Sequence, residues 1–161
     1  MTVIAYTKGI LAADSRATDD DGLVLKTTKL YELPNGSFCG AAGDADVRDV
    51  LAILGRKASI IKLPSRASLI KTKTSCTILW VFPNGEKVYR VQIGNNSADN
   101  NSDSGWWAEV LEIEDGYAAV GSGSAYALGA MVSGKTAVEA VRAACRLDVN
   151  CGLPLSFLKV K

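Results

Sequence analysis

Histidine is absent from the 161-residue chain. A Ser-His-Asp triad or a Cys-His pair therefore cannot be assembled, and no imidazole can serve as a general base. The four cysteines, Cys39, Cys76, Cys145 and Cys151, also lack the CxxC spacing that is typical of zinc sites. These shortages predict a protein without metal or other cofactor. An enzyme built on this chain needs a different base, and an amine is the obvious substitute.

Excess charge and long apolar runs are missing as well. The formal net charge is +1, without a basic block, which disfavours nucleic acid as a partner. No apolar run approaches the ~18 residues that span a bilayer. The N-terminus lacks a positive region followed by a long apolar stretch, so no secretory signal is indicated. We therefore expect a cytoplasmic protein with reduced thiols that binds no membrane.

Length and hydropathy pattern predict one domain, residues 1–161, of the α+β class. The predicted strands are 2–6, 10–14, 25–33, 37–41, 77–82, 86–93, 107–113, 117–120 and 155–160. The predicted helices are one that Asp44 caps and that runs past Leu54, a short one before Thr74, and two over 125–132 and 136–147. This order predicts two antiparallel sheets with helices outside them.

Residues 129–136 match the phosphate-loop pattern GxxxxGK[ST]. That loop requires a strand running straight into the first glycine, so that its amides can wrap a phosphate. Here the residues before Gly129 continue a helical pattern, and only a short tail follows Thr136. We predict a helix that ends at Ser133-Gly134 and a new one that starts near Thr136. A nucleotide-binding protein is the alternative from another functional class.

Thr2 follows the initiator methionine directly, so removal of Met1 alone would expose it without a propeptide. Exposed, Thr2 carries a hydroxyl nucleophile and a free α-amine that can act as its base. Such an amine titrates near ~7.7–8.0, so part of it is neutral at physiological pH. A nearby buried cation would increase the neutral fraction.

Several motifs accompany Thr2 in a characteristic order. An apolar strand leads into Ala-x-Asp-x-Arg-x-Thr at 12–18, and then come Lys29, Gly-Ser-Gly at 121–123 and Asp148-Val149-Asn150-Cys151-Gly152. This series resembles proteasome β subunits and the bacterial HslV peptidase, which are N-terminal-nucleophile (Ntn) hydrolases. The resemblance covers most of the chain and implies a four-layer αββα sandwich. Because the chain is compact, it is also similar to proteasome-like proteins of phage or prophage.

The resemblance implies a role for each matching residue. Thr2 would attack the scissile carbonyl through Oγ, and its amine would shuttle the proton through a bound water. Lys29 would hold a positive charge beside that amine, and Asp14 would pair with Lys29; a surface ion pair is the alternative reading of these two. Gly43 would offer the oxyanion N–H and contact substrate, although an ungapped register puts Ala42 there instead.

The remaining implied roles concern substrate and proton handling. Thr18 would border the substrate channel and bind the peptide backbone, while Ser122 and Asp148 would complete the network around the amine. Cys151 stands where the family has serine, and a thiol is a poorer hydrogen-bond partner. Val3 replaces a common second threonine, and the short segment before Thr74 implies a reduced outer helix, which puts a standard barrel assembly in doubt.

The function that the resemblance implies is a threonine-type endopeptidase acting on peptides or unfolded proteins. A homo-oligomeric ring is the implied assembly, with a separate ATP-dependent unfoldase as a candidate partner. A catalytically silent ring or scaffold subunit of the same fold is the alternative, favoured by a retained Met1 and by Cys151. A hydrolase of small amides is a further alternative.

Overall fold

In the computed structural model, the structure describes residues 2–18, 23–43, 46–56, 63–96 and 105–160. One sheet has the order β10-β1-β2-β11, with β1 at Ile4–Thr7, β2 at Ile10–Asp14, β10 at Tyr117–Val120 and β11 at Leu155–Lys159. Another has the order β5-β6-β7-β8-β9, with β5 at Leu30–Glu32, β6 at Phe38–Gly43, β7 at Cys76–Val81, β8 at Val88–Asn95 and β9 at Trp106–Glu112. A two-stranded sheet joins β3 at Arg16–Thr18 to β4 at Val24–Lys26.

Four α-helices lie within the described ranges: α1 at Arg48–Arg56, α2 at Arg66–Ile70, α3 at Ser124–Val132 and α4 at Ala137–Leu147. All strand pairs in these sheets are antiparallel, so the predicted α+β class with antiparallel sheets is confirmed. No helix in this described part of the chain is long and apolar enough to cross a membrane.

The hairpin of β1 and β2 brings Thr2 close to Asp14. Its turn residues Lys8 and Gly9 both have positive φ, the backbone of the tight hairpin turns that match strand twist. The register pairs Ile4 with Ala13, and one step further Asp14 N donates to Val3 O at 3.2 Å. A turn of two residues therefore sets the distance between the two ends of this hairpin.

The single strand predicted over 25–33 is wrong, and with it the count of two sheets. The chain instead changes partners: β4 pairs with β3, whereas β5 pairs with β6. Between the two strands, Thr27 N donates to Ser15 O at 2.8 Å, and the Lys29 side chain is buried against Asp14. A continuous strand would keep one pairing partner. Here the strand is interrupted between β4 and β5, and Lys29 lies in that interruption with its side chain on Asp14.

The described residues form three apolar clusters in the hydrophobic core. One lies between the two larger sheets and includes Ile4, Leu11, Leu79 and Val81. A second includes residues of the five-stranded sheet, α1 and α2, and a third includes residues of the four-stranded sheet, α3 and α4. Successive strand residues face opposite sides, which is why Ile4 belongs to the first cluster and Ala5 to the third.

The helix boundaries agree largely with the sequence pattern. Residues 129–136 end α3 and start α4: Gly129 lies within α3, and the Thr136 side chain caps α4 in a capping box with Glu139. The short helix predicted before Thr74 is α2. Asp44, the predicted cap of α1, lies outside the described residues.

Gly40 tests how closely the two larger sheets approach. A Cβ at Gly40 would lie 2.5 Å from Ile4 Cγ2, so we expect Gly40→Ala to lower the free energy of unfolding by roughly 1–3 kcal/mol through overpacking. In Gly129→Ala the new Cβ meets nothing within 4 Å, and alanine stabilises a helix by roughly 0.5–1 kcal/mol relative to glycine. Urea unfolding measures the stability of both variants. Equal changes in the free energy of unfolding would contradict the close approach of the two sheets at Gly40.

Candidate active site

Thr2 lies at the start of the β1 hairpin, with 7 % of its surface exposed. Its carbonyl oxygen accepts hydrogen bonds from Ser122 Oγ and Gly123 N, both at 3.4 Å. Gly121 has a φ of +95°, and a Cβ there would collide with that same carbonyl oxygen. Only glycine tolerates both this positive φ and this close contact. The Gly-Ser-Gly turn therefore packs directly against the backbone of Thr2.

The Asp14 carboxylate is fully buried at the end of β2. Its Oδ1 accepts from Lys29 Nζ at 2.8 Å and from Val3 N at 2.9 Å. Its Oδ2 accepts from Gly152 N at 3.2 Å and from Arg16 N at 3.3 Å. Three backbone amides, two of them from distant parts of the sequence, and one ammonium therefore converge on a single carboxylate.

Lys29 is buried with Asp14, because only 5 % of its side chain is exposed. Its Nζ also donates to Arg16 O at 2.5 Å. The alternative interpretation of Asp14 and Lys29 as a surface pair is therefore wrong. Removing two charges from water is costly, and the dense hydrogen bonding around both groups is the condition under which such a pair is tolerated.

Cys151 links Asp148 to Ser122. Its Sγ donates to Asp148 Oδ2 at 3.3 Å and lies 3.8 Å from Ser122 Oγ. The backbone N–H of Asn150 chiefly lowers the pKa of Asp148, so its carboxylate is ionised at neutral pH. Burial, and then the hydrogen bond to Asp148, raise the pKa of Cys151 to about 12. The thiol is thus a neutral hydrogen-bond donor between a carboxylate and the hydroxyl that contacts Thr2.

Gly43 ends β6 beside Thr2 and has a φ of +122°. A Cβ at this position would lie 2.5 Å from Ser75 O and 2.7 Å from Cys76 Cα, so the site requires glycine. Ala41 N donates to Lys29 O, and alternation along the strand directs the N–H of Gly43 to that same side, past the end of β5. The N–H of Ala42 faces the opposite strand, β7, which favours Gly43 over Ala42 as an oxyanion donor.

Thr2 and Gly43 border two cavities. The smaller, of about 310 Å³, is also lined by Thr18, Lys29 and Tyr31. The larger, of about 440 Å³, is also lined by Ser122. Thr2, Lys29, Gly43, Thr18 and Ser122 therefore line adjoining cavities. Asp14, Asp148 and Cys151 do not line them but contact Lys29 or Ser122 directly or through one another.

Sequence reasoning missed several residues of the site. Gly121, Gly123 and Gly152 contact Thr2 or Asp14, and the motifs in which they stand were the available signal. The wall of the larger cavity, which includes Gln92, Asn96 and Trp107, had no motif to reveal it. In the described ranges no group of three or more cysteine, aspartate or glutamate residues is placed to hold a metal ion.

Comparison with known proteins adds a fold likeness. No family model matches the chain, and no curated protein matches it. A solved structure of Thiobacillus denitrificans BPH in complex with epoxomicin is 20 % identical, with a TM-score of 0.62 over 100 % of both chains. A second structure of Thiobacillus denitrificans BPH is also 20 % identical, with a TM-score of 0.59 over 100 % of this chain and 99 % of that one. The likeness is one of fold.

Removing the charge of Lys29 tests the buried pair. In Lys29→Met the Asp14 carboxylate stays buried without its cation, so we expect a loss of ~3–5 kcal/mol in the free energy of unfolding. Urea unfolding measures it. Lys87→Met is the matched control, because Lys87 pairs with Glu112 on the surface and its loss should hardly move the midpoint. Equal midpoints in the two variants would contradict the role of Lys29.

The thiol of Cys151 should resist alkylation. Because burial raises its pKa to about 12, the thiolate is scarce at pH 7.5 and iodoacetamide should modify Cys151 slowly in the folded protein. In urea the pKa returns to its ordinary value and modification should accelerate. Peptide mapping by mass spectrometry follows the site. Rapid modification of Cys151 in the folded protein would show a reactive thiolate rather than a neutral donor.

Proposed function

We propose that this protein is a threonine-type endopeptidase of the Ntn-hydrolase class, similar to proteasome β subunits and HslV. The observation that carries the proposal is the position of Thr2 at the junction of two cavities, with Lys29, Gly43 and Ser122 around it. The three apolar clusters support the finer fold assignment, a four-layer αββα sandwich. The fold likeness to Thiobacillus denitrificans BPH, one structure of which contains epoxomicin, points the same way.

Catalysis begins once Met1 has been removed, because only then is the Thr2 nitrogen an amine. Thr2 Oγ attacks the scissile carbonyl carbon, and its proton passes through a water molecule to the α-amine. The ammonium of Lys29, which lines the same cavity as Thr2, disfavours protonation of that amine. Asp14 acts through Lys29 as a positioning residue, because it holds the ammonium and the amide of Val3 at once.

The tetrahedral intermediate carries a negative charge on the former carbonyl oxygen. The N–H of Gly43 donates to this oxyanion and is held in place by the backbone of β7. Collapse of the intermediate breaks the C–N bond, and the Thr2 ammonium gives its proton to the leaving amine. Water then hydrolyses the threonyl ester in a second addition that uses the same groups, which frees the acid product and restores Thr2.

The substrate in this proposal is a peptide or an unfolded protein. Thr18 lies on β3 at the rim of the smaller cavity, where its backbone can pair with an extended peptide. Among the described residues that line this cavity, Lys29 is the one cation, and it is paired with Asp14. We therefore assign it to a neutral side chain on the acyl side of the scissile bond.

A homo-oligomeric ring and a separate ATP-dependent unfoldase complete the proposal. The surface supports contact between copies, because β4 exposes Leu25 and Val24, and β11 exposes Phe157. Exposed apolar side chains of this size favour burial against another chain.

Two alternatives share this fold. A catalytically silent ring or scaffold subunit would retain Met1, and the neutral Cys151 thiol in place of a serine favours it. A small-amide hydrolase would keep the chemistry but cleave no peptide. The N-terminal residue and the substrate range separate these possibilities.

Intact mass and activity of protein purified from its own host test the proposal. We expect a chain that lacks Met1, an adduct with an epoxyketone or boronate on that chain, and cleavage of an unfolded protein. Thr2→Ala should lose the adduct and lower kcat/KM at least ~10³-fold, as loss of a nucleophile does.

Thr72→Ala is the matched control, since the Thr72 hydroxyl donates to Leu69 O and Thr72 lines neither cavity, so activity should remain. Full activity in Thr2→Ala, or no adduct on chains without Met1, would refute the threonine mechanism. Complete retention of Met1 would instead support the silent subunit, and turnover of small amides alone would support the second alternative.

A further inference from the structure

The larger cavity lies on the other side of Thr2 from Lys29. Both cavities share Thr2 and Gly43, but Ser122 and Gly121 line only the larger and Lys29 only the smaller. A chain that crosses Thr2 from one cavity must enter the other. The site therefore consists of two cavities that meet at Thr2.

The described residues that line the larger cavity are polar or apolar but uncharged. They include Gln92, Asn96, Thr77 and Trp107, and no aspartate, glutamate, lysine or arginine is among them. A carboxamide offers both donors and an acceptor, which is what a peptide group requires on both of its sides. A charged substrate side chain would lose water here without gaining a counterion from these described residues.

The indole ring of Trp107 packs against Gly94 in this wall. A Cβ at Gly94 would lie 2.8 Å from Cζ2 of the indole and 3.0 Å from its Nε1, so the absence of a side chain at 94 makes room for the ring. The indole N–H donates to Asn96 Oδ1 at 3.1 Å, which holds the ring from its other end. A fixed aromatic surface of this kind provides contact area with little loss of conformational freedom.

We infer that the larger cavity binds the part of the substrate that follows the scissile bond, and that it selects neutral residues there. The inference rests on the proposed function, since it needs Thr2 as nucleophile. In the proposed reaction Thr18 binds the acyl part at the smaller cavity, so the part that follows the scissile bond crosses Thr2 into the larger cavity, which Ser122 lines. The acyl part then occupies the smaller cavity beside Thr18.

Two substrates with the same acyl sequence test this assignment. One ends in an aminocoumarin and has no peptide beyond the scissile bond, whereas the other is an internally quenched peptide that continues for several neutral residues. In Trp107→Ala, kcat/KM for the longer peptide should fall roughly 10-fold, about the value of one aromatic contact. The aminocoumarin substrate should change by less than about two-fold.

Further variants guard against a general loss of structure. Asn96→Ala removes the partner of the indole and should shift the ratio of the two substrates in the same direction. Tyr126→Ala removes an exposed aromatic side chain from α3 and should leave both rates unchanged. Replacing the neutral residues after the scissile bond by aspartate or lysine should lower kcat/KM in the wild type. Equal losses on both substrates, or indifference to charge, would overturn the assignment.

Binding to Thr2→Ala separates this inference from the proposed chemistry. A peptide of the leaving sequence, added to that variant, should change the tryptophan fluorescence, and Trp107→Phe should abolish the change. If the wild type cleaves neither substrate while the signal persists, the peptidase proposal fails and the binding site remains. If the signal is absent while the wild type cleaves both, the inference fails and the peptidase remains.

Discussion

The buried ion pair of Asp14 and Lys29 is the interaction on which the rest of the site depends. A carboxylate without solvent exposure must have its lone pairs satisfied, and here Val3 N, Gly152 N and the Lys29 ammonium do so. Those donors come from the residue before β1, from the loop before β11 and from the segment between β4 and β5. One charge in the core therefore fixes three segments of chain around Thr2.

Close backbone contacts supply the second constraint. Gly121 and Gly43 stand on either side of Thr2 with positive φ, and a side chain at either would collide with neighbouring backbone. Side-chain contacts then run from Asp148 through Cys151 to Ser122, whose hydroxyl bonds the Thr2 carbonyl. The thiol in this series is a weaker hydrogen-bond partner than a hydroxyl, so it links Asp148 to Ser122 less strongly than a serine would.

Particular elements show how far sequence reasoning reached. The hairpin of β1 and β2, the helices α3 and α4, and the rejection of a phosphate loop at 129–136 followed from periodicity and turn signals, which are local. The predicted strand over 25–33 failed because its pattern is continuous, whereas Lys29 turns inward to a partner fifteen residues away. The cavity wall around Trp107 had no local signal in the sequence.

By itself, the sequence determined the chemical inventory: a chain without histidine, a threonine behind Met1, and an aspartate and a lysine in a familiar order. It also determined the α+β class, because strand and helix periods are written in neighbouring residues. Only the tertiary structure decided that Asp14 and Lys29 are buried together and that Thr2 separates two cavities. The reason is that burial and convergence are properties of segments far apart in the chain, which no local pattern records.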